Sequence, residues 1–371
     1  MNPFGYCIST PYGDKPLVEE EIRDPRLIKK LDNYSFRSEK YKRANQKYGY
    51  LTQFLKSPKL KINEAGAYGW LNDKYTADSS AYKRNQILIH RIKNSDYHFS
   101  LADHGDRFYS SVGMMNKELR PFLSWEQKRF VEVDISSCLF STGGCLFNEN
   151  FWDTDGSKVD FTFKNVCPEV YRIFDEASMC SDYPCNTDSI YSYISTYSIM
   201  VGKSMESEYS RVFKDMRLYF DLVSGGQFYD YMRHLFSSEC HPKYRDRREV
   251  KRELLIVVNC KNNRINVKSD DWVINPSKIF QQEFPSVYWL FHCLKMIDNA
   301  HAAWLFHSIE SWLVLKVISK RFIKKKPGVP IITIHDCIAT TEGNEDHLHE
   351  IMRDELKRYI GFEPTLKIKH W

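Results

Sequence analysis

Residues 329–341, Val-Pro-Ile-Ile-Thr-Ile-His-Asp-Cys-Ile-Ala-Thr-Thr, set His335-Asp336 between two apolar arms. Short β-branched arms either side of two polar residues form the pattern of a tight hairpin. The chain must therefore build a sheet that buries both arms and carries a carboxylate at the bend. Beyond it, Asn344 stands where a residue caps a helix over 345–359, and the alternation in 363–369 predicts a last strand. The ending reads strand, turn, strand, helix, strand.

A second carboxylate closes a strand pattern far upstream. Phe130-Val-Glu-Val-Asp134-Ile-Ser alternates apolar and acidic residues and runs into small polar ones. Asp134 and Asp336, about 200 residues apart, can meet across one sheet if their strands are neighbours. Each alone is most often a turn residue or helix cap. As a pair they suit hard cations, and two magnesium ions roughly 4 Å apart compensate charge on the attacking and leaving oxygens of a phosphoryl transfer.

At 371 residues the chain has room for two or three lobes. Hydrophobic residues make up 42% and charged residues 27%, and no run of about 20 apolar residues predicts a membrane span. The opening Met-Asn-Pro-Phe-Gly-Tyr lacks the pattern of a secretory signal, so a cytoplasmic location is expected. The ten cysteines are scattered and are expected to be free thiols. Cys138 with Cys145, Cys180 with Cys185, and Cys240-His241 lack zinc-site spacing.

The formal charge is +5, with cations clustered at Lys29-Lys30, Arg37–Arg43, Lys56–Lys61, Arg245–Arg252 and Lys320–Lys326. Such clusters suit phosphate-backbone contacts as well as solvated helix faces. Helix-like stretches run over 36–55 and 79–94, a short basic helix signal over 116–123, and an acidic, aromatic segment of helices and loops over 150–245. A helix with cations on one side is expected over 245–258, and an amphipathic helix over 300–323.

Four segments in order resemble the motifs of family A DNA polymerases and single-subunit phage RNA polymerases. Gly105-Asp-Arg107-Phe-Tyr109-Ser-Ser111 is similar to the element preceding the first catalytic strand, with one extra residue. The resemblance implies that Arg107 and Tyr109 contact nucleic acid and that Arg107 reaches the nucleotide. Phe130–Leu139 resembles motif A, which implies that Asp134 and the Ile135 carbonyl bind metal. Arg247-Arg-Glu-Val-Lys251 with Asn259 resembles motif B. Arg247 and Lys251 then hold the incoming triphosphate, four residues apart on one helix face, and Lys251 gives a proton to pyrophosphate. Asn259-Cys260 replaces that motif's Tyr-Gly, and Asn259 is the candidate for a sugar hydroxyl.

Ile332-Thr-Ile-His335-Asp336 is similar to motif C, which implies metal binding by Asp336 and primer-end support by His335. Phe306-His307-Ser-Ile-Glu-Ser311 resembles a phage RNA polymerase segment and suggests that His307 touches nucleic acid. The implied fold is α+β: a palm with an antiparallel sheet from 101–150 and 300–371, a helical fingers-like insertion over 151–299, and a helical N-terminal lobe over 1–100 that grips nucleic acid.

The implied activity is template-directed nucleotidyl transfer with two Mg²⁺, or Mn²⁺ in their place. The partners are a DNA or RNA primer-template and nucleoside triphosphates, with no membrane partner. No proofreading segment precedes the palm, and the short chain leaves processivity or priming to a protein partner. Leu139 stands where the DNA polymerases carry a glutamate gate, so the product stays open between DNA, favoured by the chain's small size, and RNA or untemplated tails. The rivals are a His-Asp phosphohydrolase, disfavoured by the strand arms around His335-Asp336, and a non-catalytic nucleic-acid-binding palm.

Overall fold

The structure is a computed structural model that describes residues 4–6, 19–21, 24–26, 38–152, 160–178, 190, 192, 194, 214–269 and 272–371. Cys180, Cys185, Lys29, Lys30, Arg37 and much of the 150–245 segment lie outside the described residues. The fold is helix-dominated α+β with small antiparallel sheets. Two compact units divide the chain, one comprising 1–133, 319–348 and 368–371, the other 134–318 and 349–367.

The first unit carries the strands. β1 (Phe4–Tyr6) pairs with β2 (Glu19–Glu21), β3 (Leu60–Ile62) with β6 (Leu123–Trp125), and β4 (Phe99–Leu101) with β5 (Phe108–Ser110). A four-stranded sheet has the order β10-β7-β9-β8, where β7 is Phe130–Ile135, β8 Ile331–Ile334, β9 Cys337–Thr341 and β10 Leu366–His370. Unit boundaries fall within two of these strands, after Val133 in β7 and after Lys367 in β10.

The alternating pattern of 130–135 suggests one wet face. Instead every residue of β7 except Asp134 is buried, and the strand is interior to the sheet, with a hydrogen-bonded neighbour on each edge. The expected helix over 36–55 is two helices, Glu39–Lys47 and Gly49–Leu55, broken at Tyr48, whose ring is buried. The second packs on β8, contributing Leu51 and Leu55 to the core. Each such leucine, taken out of water, contributes about 2 kcal/mol. Tyr41 stacks on Phe99 with ring centroids 4.2 Å apart, and Lys56 lies over both rings.

The second unit is helical in its described part. Phe140, Tyr219, Phe228 and Phe284 form an aromatic core, with Phe140 and Phe228 centroids 4.6 Å apart. The buried Tyr219 hydroxyl donates to the Phe140 carbonyl at 2.8 Å, as a phenol taken out of water requires. The 300–323 stretch departs from one amphipathic helix. An α-helix over Asn299–Ser311 passes into a π-helix over Trp312–Ile318 and then an α-helix over Ser319–Lys325. The wider turn shifts the apolar stripe, and the Lys316 ammonium sits 3.8 Å from the Trp312 ring centroid, a contact that offsets part of the poorer π geometry. No helix among the described residues is long and apolar enough to cross a membrane.

Candidate active site

β8 and β9 pair in register Ile331↔Thr340 through Ile334↔Cys337, so the hairpin loop is just His335-Asp336. A two-residue hairpin needs positive φ at its first central residue, ordinarily Gly or Asn. Here a histidine takes it, at φ 53°, a conformation costing a β-carbon residue about 1 kcal/mol. Strain of this kind persists where the surroundings over-determine it, and it clusters at functional sites.

Those surroundings come from a segment more than 200 residues away in sequence. Gly105 (φ 75°) and Asp106 (φ 53°) turn the chain from β4 into β5, and Arg107 closes the turn by accepting the Ala102 N–H at its carbonyl. On β5, Tyr109 sets its ring edge-on to the His335 imidazole, centroids 5.6 Å apart. Burial, and then the positive charges of Arg107 and Arg120, push the His335 pKa below its usual value. The imidazole is therefore neutral at physiological pH. Its Nδ1 is buried with no hydrogen-bond partner among the described residues.

Behind the bend lies a cluster that the sequence reading passed over. Glu132, two residues before Asp134 on β7, is 7% exposed. Its carboxylate accepts from Trp371 Nε1 at 2.8 Å, Arg120 Nη1 at 3.4 Å, Lys369 Nζ at 3.4 Å and the Cys337 thiol at 3.7 Å. One buried acid thus ties β7 to β9, to β10 and to the turn over Lys117–Phe122. The available signal was a lone charge inside an otherwise apolar strand, since such a charge is buried only with partners.

Asp134 is half-buried on β7, and Glu132 and Asp134 share one sheet face by the two-residue period. β7 and β9 are hydrogen-bonded neighbours, which meets the topological condition for the two aspartates. Asp336, also half-buried, immediately precedes β9. Ile135 is buried at the end of β7. Ser137 then takes φ 53° and opens the short helix Cys138–Thr142.

The second unit holds Arg247, Lys251 and Asn259 on the helix Arg247–Asn259, which the sequence placed within two residues. Asp246 caps it, accepting the Arg248 N–H at 2.8 Å. The buried Glu253 anchors it, accepting from the Tyr244 hydroxyl at 2.9 Å and from Arg264. Arg247 lies over the Tyr229 ring, 5.0 Å from its centroid, with Nε 3.8 Å from Asp230. Lys251 is exposed. Asn259 Nδ2 donates to its own helix at Leu255 O, while Asn299 donates to the Asn259 carbonyl. His307 is half-buried on the helix Asn299–Ser311.

The described cysteines, Cys138, Cys145, Cys167, Cys240, Cys260, Cys293 and Cys337, are free thiols. Among the described residues no group of three or more His, Cys, Asp and Glu side chains is arranged to hold a metal ion.

No protein-family model matches the sequence, and no curated protein matches it. Among solved structures, the POL domain of Pol1 from M. smegmatis, in complex with DNA primer-template and dNTP, aligns at 10% identity and a TM-score of 0.29. The alignment covers 83% of this chain and 55% of that one.

Proposed function

We propose that the protein is a template-directed nucleotidyltransferase, a small DNA polymerase of the palm type, with Asp134 and Asp336 as its catalytic carboxylates. The single observation that carries the reading is the sheet order. It sets β7, which ends in Asp134-Ile135, beside β9, which opens after the strained His335-Asp336 bend.

The donor chemistry fits magnesium. Asp134, Asp336 and the Ile135 carbonyl supply hard oxygens and few of them, and Mg²⁺ keeps much of its coordination for water and substrate phosphates. When bound, Mg²⁺ or Mn²⁺ lowers the pKa of a coordinated hydroxyl and offsets charge on the departing pyrophosphate. Arg247 and Lys251, on one helix face, bind the triphosphate, and Lys251 is the proton donor to pyrophosphate. His335, kept neutral by burial and by two guanidiniums, accepts or donates a hydrogen bond at the primer end without adding charge. Arg107 and Tyr109 flank that position, Asn259 lies at the sugar, and His307 contacts nucleic acid. The palm comprises 101–150 and 300–371, the fingers-like insertion 151–299, and the grip 1–100. A protein partner supplies processivity or priming.

The test is extension of a labelled primer-template with Mg²⁺, offering dNTPs and NTPs separately, beside Asp134→Ala and Asp336→Ala. Extension by the wild type alone supports the reading, and the preferred nucleotide assigns the product. Absence of incorporation under every condition, with nucleic-acid binding retained in both variants, replaces it with a non-catalytic binding protein.

A further inference from the structure

The helix Phe228–Leu235 presents Asp230, Arg233 and His234 on one face, and Ser237, in the π-turn that follows, extends the same stripe. With Arg245 these residues line an open cleft of about 260 Å³ within the second unit. Arg233 lies 3.3 Å from Asp230, and Arg247 approaches the same carboxylate from the other side. Asp230 thus has two guanidiniums beside it, and the exposed Arg245 lines the same cleft. Among the described lining residues Arg233 and Arg245 outnumber the one acid and the His234 imidazole adds a further polar group, while the Ser237 hydroxyl donates to the His234 carbonyl at 3.0 Å. This is the chemistry of an anion site, and planar guanidinium forks match phosphate oxygens.

The lining also says which anion. Among the described residues it includes no aromatic or large apolar side chain on which a base could stack. The cleft is open, so it suits a group carried past on a chain better than a small molecule enclosed on all sides. We propose that this cleft binds a backbone phosphate of a single nucleic-acid strand, without regard to sequence, beside the triphosphate contacts assigned to Arg247 and Lys251, with Asp230 between the two. The proposal rests on the nucleic-acid reading above.

Binding of a fluorescent oligothymidylate is measured by anisotropy across a salt series for wild type and for Arg233→Gln/Arg245→Gln. Both arginines are exposed, and circular dichroism checks that the fold is kept. Arg172→Gln/Arg353→Gln, two exposed arginines elsewhere, matches the change in net charge. The expected result is a salt slope shallower by about 0.7 for each cleft arginine in contact with phosphate, with the control unchanged and purine and pyrimidine oligomers affected alike.

An unchanged slope in the cleft variant overturns the inference, as does an equal shift in the control. Competition by inorganic pyrophosphate separates the sources. If the variant loses pyrophosphate binding while its oligonucleotide slope stays at the wild-type value, the cleft takes free phosphates and the strand assignment fails. A wild type that extends primers while the cleft variant binds unchanged removes the cleft alone. A wild type that binds no oligonucleotide removes the nucleic-acid reading with it.

Discussion

Trp371 Nε1 donates a 2.8 Å hydrogen bond to Glu132 Oε2, across 239 positions of sequence. Glu132 is two residues from Asp134, and its other contacts include Cys337, which follows Asp336. One buried acid thus bridges both proposed catalytic strands. Arg120 and Glu132 keep only 14% and 10% side-chain exposure, so neither charge can be rehydrated when the other is removed.

Glu132→Ala is expected to destabilise the protein by about 3 kcal/mol, the usual cost of leaving a buried partner uncompensated. Glu132→Gln, which still accepts from Trp371, should lose less. Urea midpoints for the two variants, compared at equal m-values, check this. Equal midpoints for wild type and Glu132→Ala would show that the cluster contributes no net stability.

Replacing either aspartate removes a carboxylate but little packing. Asp134→Asn and Asp336→Asn should each lower primer extension by about 1,000-fold, roughly 4 kcal/mol of barrier, while melting close to wild type. Arg247→Ala should raise the nucleotide KM more than it lowers kcat, if its contact is made equally in ground and transition states. Steady-state kinetics and thermal melts on the same preparations separate the outcomes.

His335 makes stability depend on acid. Its folded pKa lies below the ordinary 6.5, through burial and then Arg107 and Arg120. The unfolded chain therefore binds its proton first. Stability is intact above 6.5, begins to fall as pH drops below that value, and the loss is complete once pH passes the folded pKa. His292 and His301, both lowered chiefly by burial, act in the same direction. His335→Asn, which tolerates the left-handed bend, should lose less stability than wild type between about pH 7 and about pH 5. Melting temperatures at the two pH values test it, and an unchanged acid loss would assign the effect to the other histidines.

Gly144 tests the second unit's packing. A β-carbon there would lie 2.5 Å from the Phe362 ring and 3.5 Å from the Ile360 carbonyl. Gly144→Ala should cost about 1–3 kcal/mol, the range for an overpacked core. A smaller loss would mean that Phe362 swings aside freely. Denaturant unfolding followed by tryptophan fluorescence gives the number.

Local spacing determined much of this protein. Apolar alternation set β7, and two arms around a polar pair set the His335-Asp336 hairpin. A cap with periodic apolar residues set the Arg247–Asn259 helix, because each signal lies within one window of chain. Tertiary structure alone decided the rest. Sheet order put β7 beside β9, tertiary packing buried Glu132, and its partners Trp371, Arg120 and Lys369 came from distant segments. The same holds for the break at Tyr48 and the π-turn at Trp312–Ile318. A buried charge must be paired and a large ring must be packed, but which residues do so is settled only when the strands and helices meet.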